Sequence, residues 1–282
     1  MLVAQITDLH LGFDPGNPHE FNRKRLDQVI ARLANLDRRP DLILATGDLV
    51  DRGDVESYAA LRDALSAAGV PVYLCMGNHD VRDNFARVFP ETPIADGFVQ
   101  YVVDHGPLRF VVIDTLEEGR HGGAFCEQRA AWLSRTLAED LHRPTVIVLH
   151  HPPVETGIDW MTTDPAEPWV IRLEQAMAGH ANIVGMVCGH IHRPIVTGWK
   201  GWPVAVCPST APQVALTLSP IDPDRPDGRP MIVADSPGYA LHYWNGQSLV
   251  THFDTSDEHV VLARYDGAMQ SLVQGMLDER PA

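Results

Sequence analysis

The chain has 282 residues, 45% hydrophobic and 21% charged, which gives ample length for a well-buried core and excludes a disordered or fibrous protein. Asp and Glu outnumber Lys and Arg by 37 to 22, and the resulting formal charge of −15 disfavours nucleic-acid polymers and anionic membranes as partners. Cys75, Cys126, Cys188 and Cys207 are scattered without a CxxC pair, which argues against a disulfide framework or a Cys-rich zinc fold, whereas the 14 histidines stand out.

Taken in chain order, the residues before Asp8 lack the basic segment and long apolar stretch of a leader, and no window approaches the ~20 apolar residues of a membrane span. A cytoplasmic protein that begins directly on a strand is the expectation. The apolar run Leu2 to Ile6 reads as that strand. From Phe21 to Leu36 the residues Leu26, Val29, Ile30, Leu33 and Leu36 recur at helical spacing. Leu42 to Ala45 predicts a buried strand, Val55 to Ala68 a helix, and Val72 to Met76 and Phe110 to Ile113 two more strands. Glu127 to Ala138 predicts a helix, followed by strands over Val146 to Leu149 and Ile183 to Cys188. Short Val/Ile/Leu runs enclosed on both faces imply a layered α/β architecture.

The texture changes near residue 200, with Gly201, Trp202, Pro203 and Pro208 and then the Pro/Asp-rich stretch from Ser219 to Pro230. Segments such as Tyr239 to Trp244, Leu249 to Phe253 and His259 to Tyr265 read as hairpin strands. Two units are expected, residues 1–200 and 201–282. The loop 219–230 reads as a flexible connection, a lid or a subunit contact.

Nearly every apolar run is followed at once by side chains able to bind metal. Asp8 and His10 follow the first, Gly47 and Asp48 the second, Gly77-Asn78-His79-Asp80 the third; His150 and His151 follow Val146 to Leu149, and Gly189-His190-Ile191-His192 follows Ile183 to Cys188. Alone, each fits a turn or a helix cap. Together they place polar residues at the carboxyl ends of several strands, the edge where α/β sheets bind ligands, and one polynuclear metal site explains them all.

These motifs, Asp8-Leu9-His10, Gly47-Asp48, Gly77-Asn78-His79-Asp80, His150 and Gly189-His190-Ile191-His192, stand in the order of the calcineurin-like metallophosphoesterase superfamily, which the chain resembles over residues 8–192. Ala4-Gln5-Ile6-Thr7-Asp8-Leu9-His10, Leu149-His150-His151-Pro152-Pro153 and Cys188-Gly189-His190-Ile191-His192 resemble its glycerophosphodiesterase and class III cyclic-nucleotide phosphodiesterase branch. The resemblance implies a four-layer α/β/β/α sandwich, with residues 1–200 as catalytic domain and 201–282 as a small C-terminal cap or dimerisation lobe and tail. It implies that Asp8, His10, Asp48 and His192 bind one metal ion, and that Asp48, as a bridge, joins Asn78, His150 and His190 at a second. The ions would be divalent or mixed-valence Fe, Mn, Zn or Co, which suit carboxylate, amide and imidazole ligands. Two ions ~3.5–4 Å apart can hold a hydroxide between them and grip a phosphoryl group.

The resemblance places His79 beside that phosphoryl group as a proton donor, with Asp80 fixing its tautomer. His151 should point away from the ions. Arg82 is open between a substrate contact and a solvated side chain, and His19 and Phe21 are further candidates for substrate contact. Trp199, Trp202, Tyr239, Tyr243 and Trp244 are open between core packing and an apolar interface or substrate wall.

The implied reaction is hydrolysis of small phosphodiesters: glycerophosphodiesters, 3′,5′-cyclic nucleotides or xenobiotic diesters. A phosphomonoesterase or protein phosphatase, or a non-catalytic metal-binding scaffold, is the alternative. A homo-oligomer is expected. Two divalent ions would bring four positive charges against the two of Asp8 and Asp48, so a small anion is attracted locally while the acidic surface repels long polyanions.

Overall fold

The computed structural model describes residues 1–281. Two sheets carry the fold. The first contains β1 (Leu2–Ile6), β2 (Leu42–Thr46) and β3 (Val72–Cys75), extended by β12 (Gly238–Trp244) and β13 (Leu249–Thr255) in the order β13-β12-β1-β2-β3. The second contains β4 (Tyr101–His105), β5 (Leu108–Val112), β6 (Thr145–Val148), β7 (Ile183–Cys188), β8 (Ile195–Trp199) and β9 (Trp202–Val206) in the order β4-β5-β6-β7-β9-β8. β1, β2 and β3 run parallel, as do β5, β6, β7 and β9. Their carboxyl ends therefore deliver successive loops to shared edges.

Side-chain alternation divides the interior into two cores. In the second sheet Phe110, Val112, Val146, Val148 and Val187 join the first sheet's Val3, Ile6 and Leu42 in one buried cluster. Their neighbours Val111, Ile113, Ile147, Leu149, Met186 and Cys188 face the opposite way, as a period of two requires. The first cluster also takes Leu26, Val29 and Leu33 of α1 (Phe21–Ala34) and Tyr58 and Leu61 of α2 (Val55–Leu65). The second takes Leu133 and Leu137 of α4 (Glu127–Ala138) and Val170 and Leu173 of α5 (Pro168–Met177). Helix, sheet, sheet and helix follow one another, the four-layer arrangement expected. Asp54 caps α2 by accepting from Ser57 N–H at 2.8 Å, and Pro168 opens α5.

The sheets are also joined through a polar residue. Gln5 lies within the first apolar run, yet its amide donates to Thr46 Oγ1 and to the carbonyl of Cys188, both at 2.8 Å. Its oxygen accepts from His242 Nε2 at 3.0 Å, so β1, β2, β7 and β12 share one buried hydrogen-bond network. Burial lowers His242 to about 4 and keeps it neutral there.

The division expected at residue 200 falls on the turn Lys200-Gly201 of the β8–β9 hairpin, where both residues have positive φ, 51° and 95°. Beyond it β9 joins the second sheet, and β12 and β13 complete the first by pairing on β1. What leaves the sandwich is the segment between β10 (Gln213–Val214) and β11 (Ile232–Val233), together with the tail carrying α6 (Gln270–Asp278). The strand expected over residues 259–265 does not form. Val260, Val261 and Leu262 are consecutive and exposed, and among the described residues no strand lies beyond β13 to pair with them. The remaining helix, α3 (Arg82–Val88), follows the third motif directly.

Candidate metal centre

The loops after β1, β2, β3, β6 and β7 meet at one end of the sandwich. Donor atoms of Asp8, His10, Asp48 and His192 all lie within 4.8 Å of one another. Asp48 is central: Oδ1 accepts from the His79 backbone N–H at 2.9 Å, while Oδ2 lies 3.6 Å from His10 Nε2 and 3.4 Å from His150 Nε2. Asp8 Oδ1 stands 3.4 Å from His192 Nε2 and 4.0 Å from His150 Nε2, and Asn78 Oδ1 is 3.2 Å from His150 Nε2. Ligands held about 2.1 Å from a shared ion stand roughly 3–3.5 Å apart, so these separations suit coordination.

The backbone is bent to make this possible. Of the seven non-glycine residues with positive φ among the described residues, five are Asp8, His10, Asp48, His190 and His192, at 51°, 45°, 47°, 71° and 56°. Left-handed backbone costs about 1–3 kcal/mol per residue and collects at functional sites. Hydrogen bonds between the loops hold it: Asp8 N–H donates to Gly47 O, His10 N–H to Asp48 O, and His190 N–H to the Asp8 carboxylate. The motif glycines meet a space requirement as well. A Cβ on Gly77 would collide with the Asp48 carboxylate, and one on Gly189 with Thr7 Oγ1.

The outward ring nitrogens fix the tautomers. His150 Nδ1–H donates to the Thr46 carbonyl at 2.8 Å, and His192 Nδ1–H to the Pro212 carbonyl at 2.8 Å. His10 Nδ1–H donates to the Asp51 carboxylate at 3.3 Å. A carbonyl only accepts, so in a neutral ring the Nε2 lone pair of His150 and His192 is turned inward. His10 Nε2 and His192 Nε2 face each other at 3.2 Å, a pairing that needs a cation or proton between them. His190 Nδ1 is buried with no hydrogen-bond partner. Two carboxylates, an amide oxygen and inward imidazole nitrogens thus form a donor set that fits divalent cations.

The charges divide these imidazoles. Burial lowers His190 well below its usual value and His192 to about 4, which leaves both free to act as ligands. Burial opposes the charge on His150, but Asp48 and Asp8 raise it to about 9. Asp48 is held well below the ordinary carboxylate range, because His150 and His10 overcome its burial. Burial, helped by the Asp48 charge, raises Asp8 to about 6.

His79 lines the cavity with its ring edge-on to His10 at 4.5 Å, and its Nδ1–H donates to the Asp51 carbonyl at 2.8 Å. Burial opposes its protonation, but Asp48, the Asp51 carbonyl and the Asp51 carboxylate together raise its pKa. Asp80 does not hold the His79 ring. Its carboxylate turns away to accept from Gly77 N–H at 2.8 Å, Leu49 N–H at 3.3 Å and Tyr58 Oη at 3.0 Å. Asp51, which sequence reasoning passed over, fixes both His10 and His79, through side chain and backbone respectively. Its only sequence signal is its position closing the tract Asp48-Leu49-Val50-Asp51.

The other candidates divide. His151 lies near His150 and His190, but Thr115 Oγ1 donates to its Nδ1 at 2.8 Å and its Nε2–H donates to the His121 carbonyl at 3.2 Å. Arg82 forms a two-pronged ion pair with buried Asp114, both contacts 2.8 Å, and does not line the cavity. Phe21 lines the cavity and His19 does not. Trp199, Tyr239 and Trp244 are buried in the two cores, Trp202 packs on Trp199, and Tyr243 lies under the Arg38 guanidinium, so none forms a substrate wall.

A cavity of about 730 Å³ opens over the cluster, lined by His10, Asp48, Asn78, His79, His190 and His192 at its base. Among the residues lining it there is no Lys or Arg. No helix among the described residues is long and apolar enough to cross a membrane.

The model of the calcineurin-like phosphoesterase family matches residues 1–194. A probable glycerophosphodiester phosphodiesterase, GpdQ, of Arcobacter nitrofigilis is 31% identical over 89% of this chain and 92% of its own length. A probable cyclic nucleotide phosphodiesterase of Rhodopseudomonas palustris is 35% identical over 77% and 81%. The 3′,5′-cyclic adenosine monophosphate phosphodiesterase CpdA of Pseudomonas aeruginosa is 28% identical over 95% and 94%. Among solved structures, a dimetal phosphatase from Danio rerio shares the fold at a TM-score of 0.64 and 15% identity, covering 92% of this chain and 98% of that one.

Proposed function

The chain belongs to the calcineurin-like phosphoesterase family, and on that premise we propose that it is a metal-dependent hydrolase of small phosphodiesters, the class of activity named for its GpdQ and CpdA relatives. The carrying observation is the convergence of tautomer-fixed imidazoles on Asp8 and Asp48 at the base of an open cavity. Asp8, His10, Asp48 and His192 would hold one divalent cation, and Asp48, Asn78, His150 and His190 the other. When bound, such a pair supplies Lewis-acid stabilisation of the phosphoryl oxygens and activation of water.

The chain's own residues do the rest. Asp51 and the carbonyls of Thr46 and Pro212 orient the imidazoles, and the left-handed loops keep both carboxylates turned inward. His79, tethered through Nδ1, presents Nε2 to the cavity and gives its proton to the leaving oxygen as the P–O bond breaks. Asp80 supports this loop from behind through Tyr58 and Gly77.

The absence of Lys and Arg from the cavity lining favours a diester, with one phosphoryl charge, over a monoester with two. The test compares kcat/KM for bis(4-nitrophenyl) phosphate and 4-nitrophenyl phosphate after Mn²⁺ is returned to metal-stripped protein. The diester is expected to lead by at least about tenfold, a difference of 1.4 kcal/mol. A lead for the monoester, or hydrolysis of neither, would contradict the proposal.

A further inference from the structure

The base of the cavity is polar, and its walls are mostly apolar, with Asn22, His121 and Thr162 set among them. Phe13, Phe21, Trp160, Met161, Val214 and Ile232 rise around it. Phe13 is 64% exposed, Phe21 54%, Ile232 53% and Trp160 37%, a cluster of large apolar side chains that the fold itself leaves uncovered. They are nonetheless anchored. The Arg25 guanidinium sits 5.3 Å from the centre of the Phe21 ring and donates to the carbonyls of Thr210, Ala211 and Asp235. Trp160 lies on a turn between buried Ile158 and half-buried Met161, closed by Met161 N–H donating to Ile158 O at 2.9 Å. Ile232 is paired with Val214 across β10 and β11.

This wall is continuous with Asn78 and His79 in one cavity of about 730 Å³, within the size range of small-molecule sites. An aryl or alkyl group would displace water from the apolar faces of Phe13, Phe21, Trp160 and Ile232, whereas a glycerol moiety gains nothing from those faces and finds partners only at scattered groups such as Asn22, His121 and Thr162. We propose, on the basis of the phosphodiesterase reading above, that the preferred substrate is a phosphodiester carrying one apolar aryl or alkyl group. That group is seated among Phe13, Phe21, Trp160 and Ile232 while the phosphoryl group lies over the base. Hydrolysis forms a P–O bond to a water oxygen, breaks the ester P–O bond and releases an alcohol and a phosphomonoester, the proton lost by the water passing to solvent. The alcohol oxygen takes the His79 proton.

The test compares benzyl ethyl phosphate with diethyl phosphate in the Mn²⁺-loaded protein, following monoester formation by phosphorus NMR. Burying a phenyl ring against the wall is expected to raise kcat/KM for the benzyl ester by about 10- to 100-fold. Phe21→Ser and Trp160→Ser are each expected to lower that ratio, while Val196→Ser, on an exposed position of β8 remote in sequence from the wall, leaves it at the wild-type value. A wild-type ratio near one, or a ratio that neither wall variant lowers, overturns the proposal. Hydrolysis of neither ester would instead overturn the phosphodiesterase reading, and titration calorimetry then decides the wall separately. Dibenzyl phosphate binding more tightly than diethyl phosphate, with the difference reduced in Trp160→Ser, supports it; equal affinities overturn it.

Discussion

Around one cavity, the base consists of buried or half-buried imidazoles, carboxylates and an amide on strained strand-end loops, while the wall consists of exposed Phe13, Phe21, Trp160 and Ile232 from unrelated segments. The base draws its form from two sheets, whose strand ends carry five loops joined by hydrogen bonds. The wall draws its form from a helix start, a 3₁₀ turn and a two-stranded hairpin. On the proposals above, chemistry is set by the part of the molecule hardest to alter, and choice of substrate by the part easiest to alter.

The largest effect that could break this contrast comes from Asp48. Asp48→Ala is expected to lower the content of both cations in elemental analysis, and to reduce turnover beyond the ~10–100-fold typical of losing an outer-shell partner. Full occupancy of both positions in the variant would remove the shared-ligand assignment. Next is His79→Ala, which should keep its cations and lose on the order of 10²–10⁴ in kcat on an alkyl diester with a poor leaving group. Unchanged turnover there would leave His79 as part of the lining only.

A smaller effect tests what stands behind the base. Asp51→Ala removes the carboxylate from His10 Nδ1 but keeps the backbone carbonyl that holds His79. Mn²⁺ affinity is expected to fall by about 10–100-fold, with activity recovered as Mn²⁺ is raised. A loss that added metal does not recover would mean that Asp51 acts on the reaction itself.

The base was largely legible in the sequence because each of its residues directly follows an apolar run, and parallel strands bring such positions to a common edge. Strands β1, β2, β3, β5, β6, β7, β12 and β13 and the helix over residues 127–138 were legible for the same reason: local period and composition agreed with the final packing. What stayed hidden depends on tertiary neighbours. Nothing local distinguishes the Pro212 carbonyl, which orients His192, and only its place at the end of the Asp48 tract marks Asp51, which orients two rings. Asp80 directly follows His79 in sequence, yet the turn aims its carboxylate at Gly77 and Tyr58 rather than at the His79 ring. Phe13 and Trp160 belong to no motif. The tail beyond residue 200 read as a separate lobe because its texture changes, although β9, β12 and β13 belong to the sheets.

A last prediction is read on stability rather than activity and lies behind the base, in the Gln5–His242 network. Burial holds His242 at about 4 in the folded chain against 6.5 for a free histidine. The unfolded chain therefore takes up this proton first as pH falls. The resulting loss of stability begins near pH 6.5, is complete below about pH 4, and amounts to about 3 kcal/mol. Above pH 6.5 the contribution is fully present. In His242→Gln this component is absent, so the stability gap between wild type and variant, read from denaturant unfolding, should narrow between pH 6.5 and 4. A gap that stays constant over that window would mean that His242 is not held neutral by the fold.

The central claim is that one buried donor set holds two cations beneath an apolar wall. Anomalous diffraction from crystals grown with Mn²⁺ tests it most directly. Two peaks are expected, one among Asp8, His10, Asp48 and His192 and one among Asp48, Asn78, His150 and His190. A single peak, or a peak among His10, Asp51 and His79 instead, would contradict it.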